Sequence, residues 1–281
     1  MSRASKTKRR LWRIEAGQVQ RQSDLIVVEE PFELRLKAGN AEKTLAITMR
    51  TPGDDYELAA GFLYSEGIIK HKDQLLRMTY CVDGTTKQQE YNQLRIQLRD
   101  DQLPELPQLE RHFITNSACG LCGKASLDAL TERNLAPLPV GPAIDIAVLE
   151  HLPERLRAAQ SLFEQTGGLH AAALFDTAGN LITLREDVGR HNALDKLIGW
   201  GLLNEKLPFH DHIIVVSGRA SYELLQKCLV AGAPIFCAVS APSSLAISLA
   251  ERFGITLIGF LRPGRFNIYT GQERLQPLKN H

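Results

Sequence analysis

Three short apolar runs recur at wide spacing through the C-terminal half of the chain: Ile213 to Val216, Ile235 to Val239 and Ile255 to Ile258. The intervals between them, 222–230 and 245–253, carry apolar residues at helical spacing. A run of four or five apolar residues is too short for a helix, and without polar alternation it reads as a strand covered on both faces. Such strands separated by helices imply crossover connections and a largely parallel sheet. Upstream, Ala171 to Phe175 and Leu181 to Leu184 read as two more strands around an Ala178-Gly179-Asn180 turn, with a helix from Asn192 to Leu203. Residues 141–281 are therefore expected to form an α/β domain.

The first half follows another pattern. Leu25 to Val28, Glu33 to Leu36 and Thr44 to Thr48 are strand-like and separated by Pro31 and by Gly39-Asn40, which suggests an antiparallel start. Thr51-Pro52-Gly53-Asp54-Asp55 makes a turn with an N-cap, and 57–65 is helical before Glu66-Gly67 ends it; Ala60 and Gly61 allow this helix to pack closely. With a strand at 93–98, a smaller α+β domain over 21–112 results. The 281 residues, at roughly 150 per domain, suit two cores. Residues 1–20, basic around Lys8-Arg9-Arg10, are expected as a poorly ordered tail, and 113–140 as a mobile loop and connection. A helix at 154–165 stops at Gly167-Gly168.

Charge excludes some partners. The 33 basic and 32 acidic side chains cancel, so no whole-molecule field draws the protein to nucleic acid or an anionic membrane, and an anion site must be local. No apolar run is long enough for a bilayer-spanning helix. Five cysteines, an odd number, behind a basic N-terminus that no apolar core follows, indicate reduced thiols and a cytoplasmic protein.

Two of the thiols lie close together in Ser117-Ala118-Cys119-Gly120-Leu121-Cys122-Gly123-Lys124. Glycines leave this loop able to present sulfur, and Lys124 favours the thiolate that a sulfur nucleophile needs. As a zinc site the pair is half a set, because Cys81, Cys228 and Cys237 form no second C-x-x-C; no metal ligand is assigned. As a thioredoxin-type centre it lacks the preceding βαβ pattern. Cys228 and Cys237, inside apolar runs, read as buried small hydrophobes.

A second feature emerges from the strand ends. Val216 to Ser221, Val239 to Ser244 and Gly259 to Arg265 gather on one edge if the strands are parallel, where open α/β sheets bind ligands. Helix N-termini and serine hydroxyls there suit phosphate, and Arg219, Arg262 and Arg265 add charge, although a serine before a helix is most often only a cap. A third cluster, Arg185 to Asn192, is either a charged, capped turn or a wall of the same cleft with Arg190 and His191 as contacts.

Taken together, Arg50 to Ile69, the Cys119 to Cys122 pair, Glu186 to Leu197, Ser217 to Glu223, Ser240 to Leu249 and Gly259 to Tyr269 resemble the FdhD family, the formate dehydrogenase accessory sulfurtransferases. The resemblance implies a C-terminal three-layer domain like the cytidine deaminase fold. It implies a sulfurtransferase that takes sulfur from a cysteine desulfurase as a cysteine persulfide. The recipient is bis-molybdopterin guanine dinucleotide, destined for formate dehydrogenase. Carried onto this chain, Cys119 is the persulfide carrier with Cys122 its neighbour, and Phe260, Leu261, Arg262, Pro263, Gly264 and Arg265 contribute to the cofactor site; the strand-end reading adds Arg219 to them. A homodimer is implied as well. A cofactor-holding chaperone is the alternative. A zinc deaminase is the remote one, since no histidine begins an H-x-E and Ala118 precedes Cys119.

Overall fold

A computed structural model describes residues 4–82, 89–104 and 135–276. The chain opens with β1 (Lys6–Glu15) and β2 (Gln18–Val27), an antiparallel hairpin turning at Ala16-Gly17. The expectation of an unstructured tail over residues 1–20 is thus corrected for this stretch. Leu25 to Val27, expected in the small sheet, belongs to the hairpin. Charged side chains on both of its faces hide the period-2 signal. The Ala16-Gly17 pair takes positive φ at both positions, the geometry that matches the twist of a two-residue hairpin. The root is held where Val27 packs at Gly168 and Lys6 reaches Gln165, while Trp12, Ile14 and Val19 are left in solvent.

Next come β3 (Glu30–Ala38), β4 (Ala41–Arg50), α1 (Asp55–Ser65), β5 (Leu75–Val82) and β6 (Gln89–Leu98). The four strands form one sheet in the order β4-β3-β6-β5, antiparallel except for the central β3–β6 pair. Phe32, Leu34, Leu36, Leu94 and Ile96 line its inner face against Leu58 and Leu63 of α1. The turn into α1 is set less by a cap than by a buried ion pair. Asp54 makes no side-chain cap bond, and the Asp55 carboxylate takes Arg50 Nε at 2.9 Å and Nη2 at 3.1 Å.

The C-terminal part comprises β7 (Ile144–Asp145), α2 (Ile146–Ala159), α3 (Ser161–Thr166), β8 (His170–Asp176), β9 (Leu181–Asp187), α4 (Arg190–Leu203) and β10 (His212–Val216). There follow α5 (Tyr222–Val230), β11 (Ile235–Ala238), α6 (Ser244–Phe253), β12 (Thr256–Arg262), β13 (Arg265–Thr270) and β14 (Leu275–Gln276). The helix expected at 154–165 is split at Gln160 into α2 and α3. A six-stranded sheet runs β13-β12-β11-β10-β8-β9. Only β10, β11 and β12 are mutually parallel; β8, β9 and β13 are antiparallel to their neighbours, which corrects the largely parallel expectation. The connections after β8 and β12 are too short for a crossover and force hairpins. Ala172, Leu174, Ile214, Phe236 and Leu257 face α4, α5 and α6, while Ala173, Ile213, Val215 and Cys237 face α2. The result is mixed α/β with helices on both faces, the three-layer class expected.

The two sheets are joined through α1 and α4, whose backbones touch. A Cβ placed on Gly61 would stand 1.8 Å from the Asp195 carbonyl oxygen, and one on Gly199 1.8 Å from that of Glu57. Buried charge pairs frame the crossing. Lys227 meets Asp195 at 2.8 Å, with Ser65 donating to the same carboxylate, and Lys196 meets Asp187 at 2.7 Å.

Candidate functional site

Because β8 runs antiparallel to β10, the start of β8 and the ends of β9, β10, β11 and β12 meet on one edge of the large sheet. Backbone hydrogen bonds stitch the turns there into one surface. Ser240 N–H donates to Gly218 O, Ala220 N–H to Ala241 O, Ser243 N–H to Ala220 O, and Phe260 N–H to Ser240 O, all at 3.0–3.2 Å. The serines of this edge differ in their roles. Ser243 caps α6 through Ala246 N–H, and Ser217 Oγ accepts from Ala171 N–H, whereas Ser221 at the start of α5 makes no cap bond.

Phe260 is the most unusual residue of the edge. Its φ of 51° lies in the left-handed region, and the residue is 42% exposed. A non-glycine residue held so is strained by about 1–3 kcal/mol, and such strain gathers at functional sites. The cause is a register shift between Gly259 and Arg262, which turns Phe260 out of the pleat. A Cβ at Gly259 would meet Pro242 Cδ at 2.9 Å, so the bulge packs tightly on the neighbouring turn.

The other expected site residues fall in different places. Leu261 is fully buried among the side chains facing α2, so its side chain is core and it meets a ligand only through its backbone. Arg262 curls back, with Nη1 donating to the carbonyls of Val239 and Leu261. Pro263 and Gly264 form the β12–β13 turn, so this third strand end is a hairpin rather than a strand-to-helix turn. Arg219 and Arg265 are exposed and have no ion pair among the described residues. Cys119 and Cys122 lie outside the described residues.

In the 185–192 cluster most charges are committed to structure. Arg185 binds Glu57, and Glu186 accepts from the N–H groups of Leu162 and Phe163 at 3.1 and 2.8 Å. Asp187 is wholly buried. Arg190 and His191 are the exceptions, and with His170 at the start of β8 they face the edge. The sequence offered no signal for His170; only the antiparallel pairing brings it here. Burial, then Arg190 and His191, pull its imidazole below the usual range. His191 in turn holds the Glu223 carboxyl down to about 2. Cys228 and Cys237 are buried, and burial pushes both thiols up, away from reactivity.

A separate polar cleft of about 460 Å³, lined by Thr51, Asp54, Ser161, Glu186 and Lys196 among others, shares none of the edge turns. Among the described residues no group of three or more His, Cys, Asp or Glu could hold a metal, and no helix is long and apolar enough to cross a membrane.

Comparison with known proteins addresses the family. The model of the FdhD/NarQ family matches residues 27–276. The chain belongs to the FdhD/NarQ family. A curated relative from Streptomyces coelicolor, named sulfur carrier protein FdhD, is 49% identical over 275 residues, 95% of each chain. Relatives of the same name from Mycobacterium tuberculosis and Saccharolobus solfataricus are each 44% identical and cover 95% and 94% of this chain and 97% and 96% of their own. A crystal structure described as a formate dehydrogenase accessory protein from Desulfotalea psychrophila superimposes with a TM-score of 0.74 at 26% identity, covering 97% of this chain and all of that one. The family match runs from the last residue of β2 to β14.

Proposed function

We propose that this chain is a sulfur carrier, acting as a sulfurtransferase in the maturation of formate dehydrogenase. Cys119 takes sulfur from a cysteine desulfurase as a persulfide, and the chain hands it to its substrate, bis-molybdopterin guanine dinucleotide, seated on the sheet edge. The observation that carries this reading is Phe260, turned outward in a strained backbone beside arginines without acidic partners, in a chain whose relatives are named sulfur carrier proteins over nearly their full length. The residues present fit the substrate. A guanine base offers a flat face for the Phe260 ring, and its phosphates call for the guanidinium groups of Arg219 and Arg265 and the hydroxyl of Ser221.

The chemistry asked of the thiols is exchange. The Cys119 thiolate attacks the outer sulfur of the donor persulfide; a new S–S bond forms as the donor's breaks, the donor cysteine leaves as thiolate, and nothing is oxidised overall. Cys122, three positions on, can take the outer sulfur in the same way, or attack Cys119 itself and release hydrosulfide as a disulfide closes. The same reading has the protein working in the cytoplasm as a homodimer.

The test is intact-protein mass spectrometry under non-reducing conditions after incubation with a cysteine desulfurase and cysteine. Wild type is expected to gain mass in steps of one sulfur atom, reversed by mild reduction and absent from Cys119→Ala. If wild type gains nothing from a desulfurase proven active, the carrier reading fails and a chaperone that only holds the cofactor takes its place.

A further inference from the structure

Among the described residues, six buried side-chain nitrogen or oxygen atoms lack a hydrogen-bond partner, and three of them, Arg190 Nε, His191 Nε2 and Ser221 Oγ, belong to this one edge. A buried polar atom without a partner costs as much as a lost hydrogen bond, so a cluster of them needs a reason.

The reason begins with Asp187. Its Oδ2 takes Thr51 N–H and the Lys196 ammonium, and its Oδ1 takes Gly189 N–H and the Asn192 amide. Glu186 is spent on α3, and Glu57 on Arg185. Every nearby acid on β9 and α1 is therefore committed, and Arg190 is left a half-buried guanidinium with no ion pair among the described residues. Glu223 turns to His191, at 3.9 Å from Nε2, and to the Ser221 hydroxyl, and leaves Arg190 unanswered. His170 lies against the same charges. Gly218 closes the group: a Cβ there would stand 3.5 Å from His170 Nδ1 and 3.9 Å from Arg190 Cβ, so its absence leaves a notch between the imidazole and the arginine stem. A guanidinium and an imidazole at the notch, with a second imidazole and a hydroxyl beside them, outnumber the one carboxylate, Glu223, that faces the group.

We propose that Arg190, His170, His191 and Ser221 form an oxyanion site that takes a phosphoryl group at the sheet edge. The residues that the family resemblance assigns to the cofactor, Phe260 to Arg265, do not include them. Seating a phosphate of the guanine dinucleotide in this site rests on the function proposed above; the oxyanion chemistry itself does not. A phosphoryl group brings several terminal acceptor oxygens in a tetrahedral arrangement and more than one negative charge, which suits donors that come from three different elements.

The experiment is calorimetric titration of the full chain with pyrophosphate, GDP and guanosine, on wild type, Arg190→Gln, His170→Gln and Phe260→Ala. Arg190→Gln is expected to weaken pyrophosphate and GDP by about tenfold or more, the worth of a hydrogen bond to a charged group, and to leave guanosine unchanged. Phe260→Ala is expected to do the reverse, weakening guanosine and sparing pyrophosphate. Thermal unfolding checks that each variant is folded; if Arg190→Gln is not, His170→Gln gives the same reading with a smaller loss. Unchanged pyrophosphate and GDP affinities in both variants would overturn the site. Wild type that binds pyrophosphate with an Arg190-dependent affinity, yet binds GDP no better and guanosine not at all, would keep the oxyanion site and sink the nucleotide reading. Binding of GDP and guanosine with equal affinity, and no pyrophosphate binding, would do the opposite.

Discussion

Replacing Gly61 by alanine sets two effects against each other, and the geometry decides between them. In an isolated helix the change is favourable by about 1 kcal/mol. Here the new Cβ would lie 1.8 Å from the Asp195 carbonyl oxygen and 2.7 Å from Gly199 N, where real Cβ contacts essentially never fall below 3.0 Å. The difference, 3.0 minus 1.8, is about 1.2 Å of forced separation between α1 and α4. The colliding atoms are backbone on both sides, so no rotamer change relieves them. Overpacking costs about 1–3 kcal/mol where side chains can yield. A backbone collision belongs at or above the top of that range, and the expected net loss is about 2 kcal/mol or more. Gly199→Ala makes the mirror collision, 1.8 Å from the Glu57 carbonyl oxygen. Helices already parted by one methyl have less to lose to the second, so the double variant is expected to cost clearly less than the sum of the singles. Urea denaturation followed by far-UV circular dichroism measures all three. Gly67→Ala, with φ of 75° and open space around it, supplies the comparison in which only backbone strain is at issue. A Gly61→Ala protein as stable as wild type, or strict additivity with Gly199→Ala, would refute the close-crossing argument.

Lys227→Met leaves Asp195 buried without its counter-ion and is expected to cost about 3–5 kcal/mol near neutral pH. Asp195 already has its carboxyl raised by burial, and a group whose folded pKa lies above its unfolded one loses stability as pH rises, so the Lys227→Met penalty should shrink on acidification; a penalty independent of pH in denaturant midpoints would count against it. Phe260→Gly is expected to stabilise the fold by up to about 1 kcal/mol through release of left-handed strain while weakening guanosine binding, read by thermal melting and calorimetry together. Cys228→Ala and Cys237→Ala are expected to leave desulfurase-dependent sulfur loading intact, as mass spectrometry can verify, because both thiols are buried.

The sequence carried the α/β alternation of the second half because strands covered on both faces must be apolar throughout, as Ile213 to Val216 and Ile235 to Ala238 are. It did not carry the direction of β8, β9 and β13, which depends on connection length rather than on periodicity. The hairpin escaped because Lys8, Arg9, Arg10 and Arg13 decorate strands with almost nothing to bury. Arg262 and Arg265 were legible as charge at a strand end, whereas Phe260 entered through family resemblance, and Leu261 came with it although its side chain serves the core. Arg190 and His191 stood undecided between capping and binding, since only three dimensions reveal that Asp187 has no oxygen to spare. His170 was invisible in the sequence: a histidine opening a strand carries no mark of what the antiparallel partner will set beside it.

The α1–α4 contact also bears on how this chain can be cut or inherited. Residues on every side of α4 are buried, from Asn192 and Ala193 through Asp195 and Leu197 to Gly201, because the large sheet lies under one flank and α1 over the other. Neither half closes without the other, so a gene fragment ending after β6 would encode a helix with no bed, and one beginning at β7 a sheet with an open roof. The natural seam of this protein, the place where recombination or a protease could separate two self-sufficient modules, does not fall between its two sheets.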